Sequence, residues 1–331
     1  MASLHSNSLA PIAFFVYKRP DHTRQTLEAL AANKLASESD LFIFSDGPRS
    51  EQDEKGVSAV REYIRAVKGF KSVNILEHEK NQGLAKSLIG GITELCDKFG
   101  RAIVVEDDVL TSPYFLCFMN DALSQYENSQ EIFSICAFWP LKPEIGDNTA
   151  FFLNYFAVWG WATWKRAWDF YDYEAAGWEE LLKNKRMAWD FDLHGRVDFT
   201  AMLLSQVKKG ISTWDIQWSW VTYREKKLCL FPPHSLTSNI GFDSLGEHTT
   251  SSEERWLVEN IDLSMEKKIA FPAQVALDES KRTLLGKFHY FSIKNRRGFS
   301  PRGIFWTLYR PLRRMLLAVP YGIEIKNNIR L

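Results

Sequence analysis

Three consecutive acids, Glu106, Asp107 and Asp108, follow directly on the apolar run Ala102 to Val105 in "RAIVVEDDVLTSPYF". Adjacent carboxylates repel each other unless a positive group lies between them. A strand that ends at the surface, where each charge is solvated, is one way to hold such a cluster. The other is a hard divalent cation, Mn2+ or Mg2+, which takes oxygen ligands and often shares its shell with phosphate oxygens. A metal bridging a diphosphate stabilises the negative charge that builds on a departing nucleoside diphosphate.

The elements that must position these acids are legible on either side of them. "PIAFFVY" (11–17) is a short apolar strand that stops at the turn signal "KRPD", and "HTRQTLEALAANKL" carries Leu27, Leu30, Ala31 and Leu35 at helical spacing. "DLFIFSDGP" (40–48) is a second strand running into a strong breaker, "VSAVREYIRAV" a helix, "KSVNILEH" a third strand and "GLAKSLIGGITELCDKF" a further helix. "AIVVEDD" is the fourth strand, and "SPYFLCFMNDALSQY" the helix after it, with Pro113 expected near its first turn. Strands alternating with helices predict an α/β fold with a mostly parallel central sheet flanked by helices. Ligands of such sheets bind beyond the carboxyl ends of the strands. Those ends carry Lys18-Arg19, Asp46, Glu77-His78 and Glu106-Asp107-Asp108, which are expected to meet in one crevice.

Beyond residue 135 the pattern is irregular and rich in tryptophan, as in "FAVWGWATWKRAW" and "STWDIQWSWVTY". Most of these indoles are expected in the core. One or two among Trp139, Trp159, Trp161, Trp214 and Trp218 are expected to line a sugar-binding groove, because aromatic faces stack on sugar rings. The chain has 331 residues, 45% of them hydrophobic, enough for a large core. No stretch approaches the roughly 20 apolar residues of a membrane span, and "MASLHSNSLAP" lacks a secretory pattern. Cys96, Cys117, Cys136 and Cys229 are scattered without CxxC spacing and read as reduced packing residues of a cytosolic protein. The net charge of zero hides a split: residues 281–331 hold twelve Lys/Arg and one acid, leaving 29 basic and 40 acidic side chains before them. An acidic body with a basic, apolar-interleaved arm is thus expected, the arm either packing on the body or meeting an anionic membrane surface.

The first half resembles the GT-A glycosyltransferases. "FFVYKRPDHTRQTLEAL" is similar to their opening strand, loop and helix, "FIFSDGP" to their second strand, and "NQGLAKSLIGGI" to a segment of family-2-type enzymes. "VVEDDVLTSPYF" resembles the acidic signature of the N-acetylglucosaminyltransferase I type (family 13), and "WGWATWKRAW" with "NIGFDSLGEHT" resembles bacterial surface-polysaccharide members. The resemblance implies a GT-A (Rossmann-like) sheet in four parts: a flexible N-terminus (1–10), a nucleotide-sugar-binding half (11–135), an aromatic-rich acceptor half (136–265) and a basic amphipathic helical tail (266–331). It implies that Tyr17, Arg19 and Asp46 hold the nucleoside, that Gly83 and Lys86 lie beside the base or diphosphate, and that Glu106 and Asp107 contact ribose and sugar. Asp108 is then the direct metal ligand, His248 in "GEHTT" the second one, and Asp215 in "TWDIQW" the general base of an inverting transfer. Plainer readings stand beside these: Asp215 as a helix cap, His248 as a solvated loop residue with His234 as rival ligand, Arg19 paired with Asp21 or Asp46, and Lys86 on a solvated helix face.

The implied activity is metal-dependent transfer of a hexosyl or N-acetylhexosaminyl group from a nucleoside-diphosphate sugar, UDP-sugar favoured, to a glycan or lipid-linked glycan. The expected location is cytoplasmic, peripheral on the inner face of the membrane. A nucleotidyltransferase making sugar nucleotides is the enzymatic rival, but the first loop "YKRPD" lacks that class's glycine-rich start. A non-catalytic carbohydrate-binding protein has no need of three acids at a parallel-strand end. Nucleic acid is disfavoured, because the basic residues concentrate in an apolar tail.

Overall fold

A computed structural model describes residues 8–142, 147–209, 213–242, 261–264 and 268–297. The alternation read from the sequence is present in order: β1 (Ile12–Val16), α1 (Pro20–Ala31), β2 (Asp40–Ser45), α2 (Glu51–Arg65), β3 (Ser72–Glu77), α3 (Leu84–Phe99), β4 (Arg101–Glu106), β5 (Val109–Thr111) and α4 (Phe115–Gln125). All five residues of β1 are buried, and side chains alternate between two faces of the sheet. Ile12, Phe14 and Val16 join one core cluster with Leu27 and Leu30 of α1, Val60 and Ile64 of α2, and α4. Ala13 and Phe15 join the other, with Leu88, Ile92 and Leu95 of α3. A strand buried on both faces is apolar throughout, which is why "IAFFV" shows no polar alternation. Pro113 lies just outside its helix, since Tyr114 is the N-cap of α4.

The remaining elements are β6 (Ile132–Cys136), β7 (Phe151–Leu153), β8 (Trp161–Trp164), α5 (Lys165–Trp168), α6 (Glu180–Lys183), α7 (Lys185–Phe191), α8 (Phe199–Lys209), α9 (Asp215–Arg224), β9 (Leu228–Phe231), β10 (Thr237–Asn239) and α10 (Glu279–Arg297). The main sheet has the order β3-β2-β1-β4-β8-β6-β9-β7. β8 is antiparallel to both β4 and β6, and β9 is parallel to β6. Consequently β1, β2, β3, β4, β6 and β9 all run in one direction, and only β7 and β8 run against it. The sheet is mostly parallel, and it runs unbroken through both halves. Its carboxyl edge gathers the residues after β1, β2, β4, β6 and β9.

Of the five tryptophans offered as candidates for a sugar groove, four are core residues: Trp139, Trp161, Trp214 and Trp218 are all at most 4% exposed. Only Trp159 keeps partial exposure. An indole buries a large apolar area, and this sheet edge takes that area for packing. Cys96, Cys136 and Cys229 are buried and Cys117 half-buried, all as free thiols.

The start of the basic arm packs on the acidic body. Arg282, 3% exposed, lies 2.9 Å from Asp190, and Lys281 lies 2.9 Å from Asp147. Leu285 is buried beside them. The arm from residue 298 onward, like the first seven residues, lies outside the described residues. Among the described residues no helix is long and apolar enough to cross a membrane.

Candidate functional site

Where β1 ends, the chain turns into α1 with Pro20 in its first turn and Arg19 as N-cap. The Arg19 guanidinium reaches across to the end of β4. It donates to Asp107 Oδ1 and lies 2.9 Å from Asp108 Oδ2. The alternatives, Asp21 and Asp46, are not its partners. Asp107 is buried, its backbone carbonyl accepts a hydrogen bond from Thr26 Oγ1 at 2.8 Å, and its Oδ2 is buried with no hydrogen-bond partner. Asp108 Oδ1 accepts from Asn239 Nδ2 at 3.2 Å.

A small second sheet fixes Asp108. β5 pairs antiparallel with β10, Val109 opposite Asn239, and Ile240 N–H donates to the Asp108 carbonyl at 2.9 Å. Gly241 follows, its N–H donating to Asn239 Oδ1 at 2.7 Å. A Cβ at Gly241 would collide with the Asp108 carboxylate, so this backbone can approach the acid only as glycine. Asn239 and Gly241 lie in the "NIGFDSLGEHT" stretch, but their role beside Asp108 escapes a reading of the sequence because "TSN" is too short and polar to read as a strand. Their partner also lies more than a hundred residues earlier.

The electrostatics of the cluster follow from burial and like charge. Burial would lower the Arg19 guanidinium, but Asp107 and Asp108 overcome it and hold it above its ordinary value. Burial outweighs Arg19 for Asp107, whose carboxyl sits above the usual range. Glu106 is raised well above it, first by burial and then by the charges of Asp108, Asp107 and Asp215. Asp215, more than a hundred residues later in the chain, is thus close enough for its charge to be felt at Glu106. It also raises the hydroxyls of Tyr155 and Tyr171, for both of which burial is the larger cause. Asp215 is the first residue of α9, one position inside the N-cap Trp214, where the helix dipole favours a carboxylate.

The raised Glu106 carboxyl makes stability depend on pH. In the unfolded chain Glu106 ionises near its ordinary value of 4.5, whereas in the folded protein it keeps its proton to higher pH. The folded state therefore binds more protons across that interval, and stability falls as pH rises from 4.5 through the folded value. Glu106→Gln is expected to leave the melting temperature in EDTA nearly unchanged at about pH 4 and to raise it at pH 8, since it removes the cost of ionising a half-buried group among other acids. Equal melting shifts at both pH values would contradict the assignment.

The other predicted residues divide into a tight group and outliers. Asp46, 5% exposed, accepts four hydrogen bonds, from the N–H groups of Gly47, Gln82 and Gly83 and from Asn81 Nδ2, at 2.8–3.1 Å. Three of these come from the 81–83 loop and one from its own neighbour Gly47, so the carboxylate fixes this wall of the crevice. Gly83 adopts φ +81 as the N-cap of α3, a conformation that favours glycine. Tyr17 Oη donates to Asp53 Oδ2 at 2.9 Å and accepts from Arg49 N–H at 3.0 Å, which ties it to the start of α2. Lys86 is exposed on the first turn of α3. His234 is 5% exposed beyond the end of β9, and neither ring nitrogen has a hydrogen-bond partner. Burial holds its imidazole below the ordinary value, against a smaller opposing effect of Asp262. His248 lies outside the described residues.

The oxygen donors suit a hard divalent cation. Two carboxylates share one guanidinium, and Asp107 Oδ2 is an unsatisfied buried acceptor. Among the described residues no three His, Cys, Asp or Glu side chains are grouped to hold a metal. A cation here would therefore take one or two carboxylates and draw its other oxygens from a ligand, the usual pattern for Mg2+ with phosphates.

No family model and no curated protein is similar to the chain. Among solved structures it is similar to the mannosyltransferase PcManGT from Pyrobaculum calidifontis in complex with GDP-Man and Mn2+, at 11% identity over 68% of this chain and 71% of that one, with a TM-score of 0.35. It is also similar to the galactosyltransferase LgtC in complex with donor and acceptor sugar analogues, at 10% identity over 64% and 70% of the two chains, with a TM-score of 0.33. At such identities and scores the likeness does not reach the site, and the architecture stands on its own strand order.

Proposed function

We propose that the chain is a metal-dependent inverting glycosyltransferase. In this reading it moves a sugar from a nucleoside-diphosphate sugar, UDP-sugar favoured, to a hydroxyl of a glycan or lipid-linked glycan in bacterial surface-polysaccharide synthesis. The observation that carries it is the meeting of two acidic groups at one sheet edge: Glu106, Asp107 and Asp108 at the end of β4, and Asp215 at the head of α9, near enough to perturb Glu106. A carboxylate opposite a metal-suited acid cluster supplies the two needs of glycosyl transfer, a base for the acceptor and charge compensation for the leaving group.

In this reading Tyr17 and the loop braced by Asp46 border the nucleoside, while Gly83 and Lys86 flank the base or diphosphate. Asp108 and His248 would hold a divalent cation, which would supply charge compensation for the departing diphosphate. Glu106 and Asp107 orient ribose and sugar by hydrogen bonds. The Asp215 carboxylate takes the acceptor's hydroxyl proton as that oxygen attacks the anomeric carbon, and the bond from that carbon to the diphosphate oxygen breaks. The basic arm, residues 281–331, would bring the protein to an anionic membrane surface on the cytoplasmic side through the part beyond its packed start at Lys281, Arg282 and Leu285.

Calorimetric titration of UDP and GDP, each with Mn2+ and with EDTA, tests the donor site. Binding of one nucleotide is expected to need Mn2+ and to weaken at least tenfold in Asp108→Ala, a loss of about 1.4 kcal/mol or more. Absence of nucleotide binding under every condition would leave the acids as a structural cluster and overturn the reading.

A further inference from the structure

Arg19 stands where the proposed reaction needs a cation. Its guanidinium contacts one oxygen of Asp107 and one of Asp108, and so lies between the two carboxylates that a divalent ion would have to approach. It leaves the cluster incompletely served, because Asp107 Oδ2 is buried without a hydrogen-bond partner. Arg19 also borders a cavity of about 580 Å3, lined by Lys18, Asp21, His22, Gln25, Asp53 and Ile240 among others. That space is large enough for a guanidinium, and Asp21 on its wall offers the charge a second residence, whereas Asp53 is already paired with Lys18.

Resting on the reading above, we propose that Arg19 is the resident counter-ion of the acid cluster and must leave Asp107 and Asp108 before a divalent cation binds there. A guanidinium and a metal ion cannot share those two oxygens, since like charges at contact repel strongly where water is scarce. A diphosphate gives Arg19 a reason to move, because the planar guanidinium fork matches phosphate oxygens as well as carboxylates. Cation and sugar nucleotide therefore enter together, and the site does not load with metal alone. Arg19 is a positioning residue in this scheme: it keeps Asp107 and Asp108 close together in the empty protein and yields them when the donor arrives.

The test is Mn2+ titration of the metal-free protein, followed by the electron paramagnetic resonance signal of the free ion, first without nucleotide and then with UDP or GDP. Arg19→Gln is expected to bind Mn2+ without nucleotide at least tenfold more tightly than the wild type. Arg19→Lys is expected to fall between them, since it keeps the positive charge on a shorter side chain that reaches less well the point where Arg19 Nη2 meets both carboxylates. The enhancement of Mn2+ affinity by nucleotide should shrink by a similar factor. Lys18→Gln removes a nearby charge that pairs with Asp53 at 2.7 Å and is expected to change Mn2+ affinity less than threefold, which separates displacement from a general field effect. If Arg19→Gln does not fold, the Arg19→Lys result decides.

If the wild type binds Mn2+ with nucleotide but both Arg19 variants hold Mn2+ alone no more tightly than it does, Arg19 is a fixed partner and this inference alone fails. If the wild type takes up neither Mn2+ nor nucleotide, the glycosyltransferase reading fails with it.

Discussion

If Asp215 is the general base proposed above, replacing it with asparagine is expected to lower turnover by a factor of about 10²–10⁴, the usual contribution of such a group, while nucleotide binding changes less than about twofold. Asparagine keeps the size of the side chain but cannot accept the acceptor's proton. Asp215 opens α9, where the aligned peptide dipoles favour a carboxylate. Loss of that charge at a helix end costs only about 0.3–1 kcal/mol, so folding should survive the change. The negative charge of Asp215 reaches Glu106, Tyr155 and Tyr171. The Asp215→Asn change would relieve part of the field on Glu106, so the variant's melting temperature should also depend less on pH above 4.5. The check is release of nucleoside diphosphate from the preferred sugar nucleotide in the presence of a glycan acceptor, beside a calorimetric titration of the nucleotide. Turnover within a few-fold of wild type would remove Asp215 from the chemistry and reduce it to a favourable charge on a helix end.

The part of this site legible in the sequence is the part written locally. β1, β2 and β4 are continuous apolar runs stopped by charged or breaking residues, so both the strands and the polar groups at their ends could be read directly. Asp107 and Asp108 demanded a positive partner on elementary electrostatics, and a partner is there. Its identity was not readable, because Arg19 is 88 residues away and had two nearer acids to choose from. Where partners are set by strand order, the sequence is silent. β8 inserts between β4 and β6 although β6 precedes it in the chain, and no local pattern announces that. β7, β8 and β10 are three or four residues long, too short for alternation to show. The tryptophan-rich stretch was ambiguous for a physical reason: the same indole that stacks on a sugar fills a core equally well, and burial decides only after folding. His234 and Asp215 looked alike as isolated polar residues, yet one is enclosed without partners and the other opens a helix within electrostatic reach of Glu106.

Trp218→Ala is expected to destabilise the protein by about 3–5 kcal/mol, the range for truncating a large aromatic in a packed core. Trp218 is fully buried, its ring stacked on Phe133 with centroids 5.5 Å apart and tilted against Trp168 at 5.1 Å. Its Nε1 donates to Ser134 Oγ at 2.9 Å, so truncation also removes a hydrogen bond to a buried hydroxyl on β6. That loss is a large share of the roughly 5–15 kcal/mol typical of a folded domain, and the variant should show it in urea denaturation at about 25 °C. Trp189, 49% exposed and stacked on His194, provides the contrast: its alanine variant should cost no more than about 1 kcal/mol. Trp218 lies one helical turn after Asp215 on α9, so the packing that clamps α9 to β6 also sets where the carboxylate points. Trp218→Phe keeps the apolar filling but loses the hydrogen bond to Ser134. It is expected to recover most of the stability while turnover recovers only to the extent that α9 returns to its seat. Catalysis lost in proportion to stability across both variants would mark Trp218 as packing alone. Catalysis lost well beyond it in Trp218→Phe would show that the indole hydrogen bond orients the helix that carries Asp215.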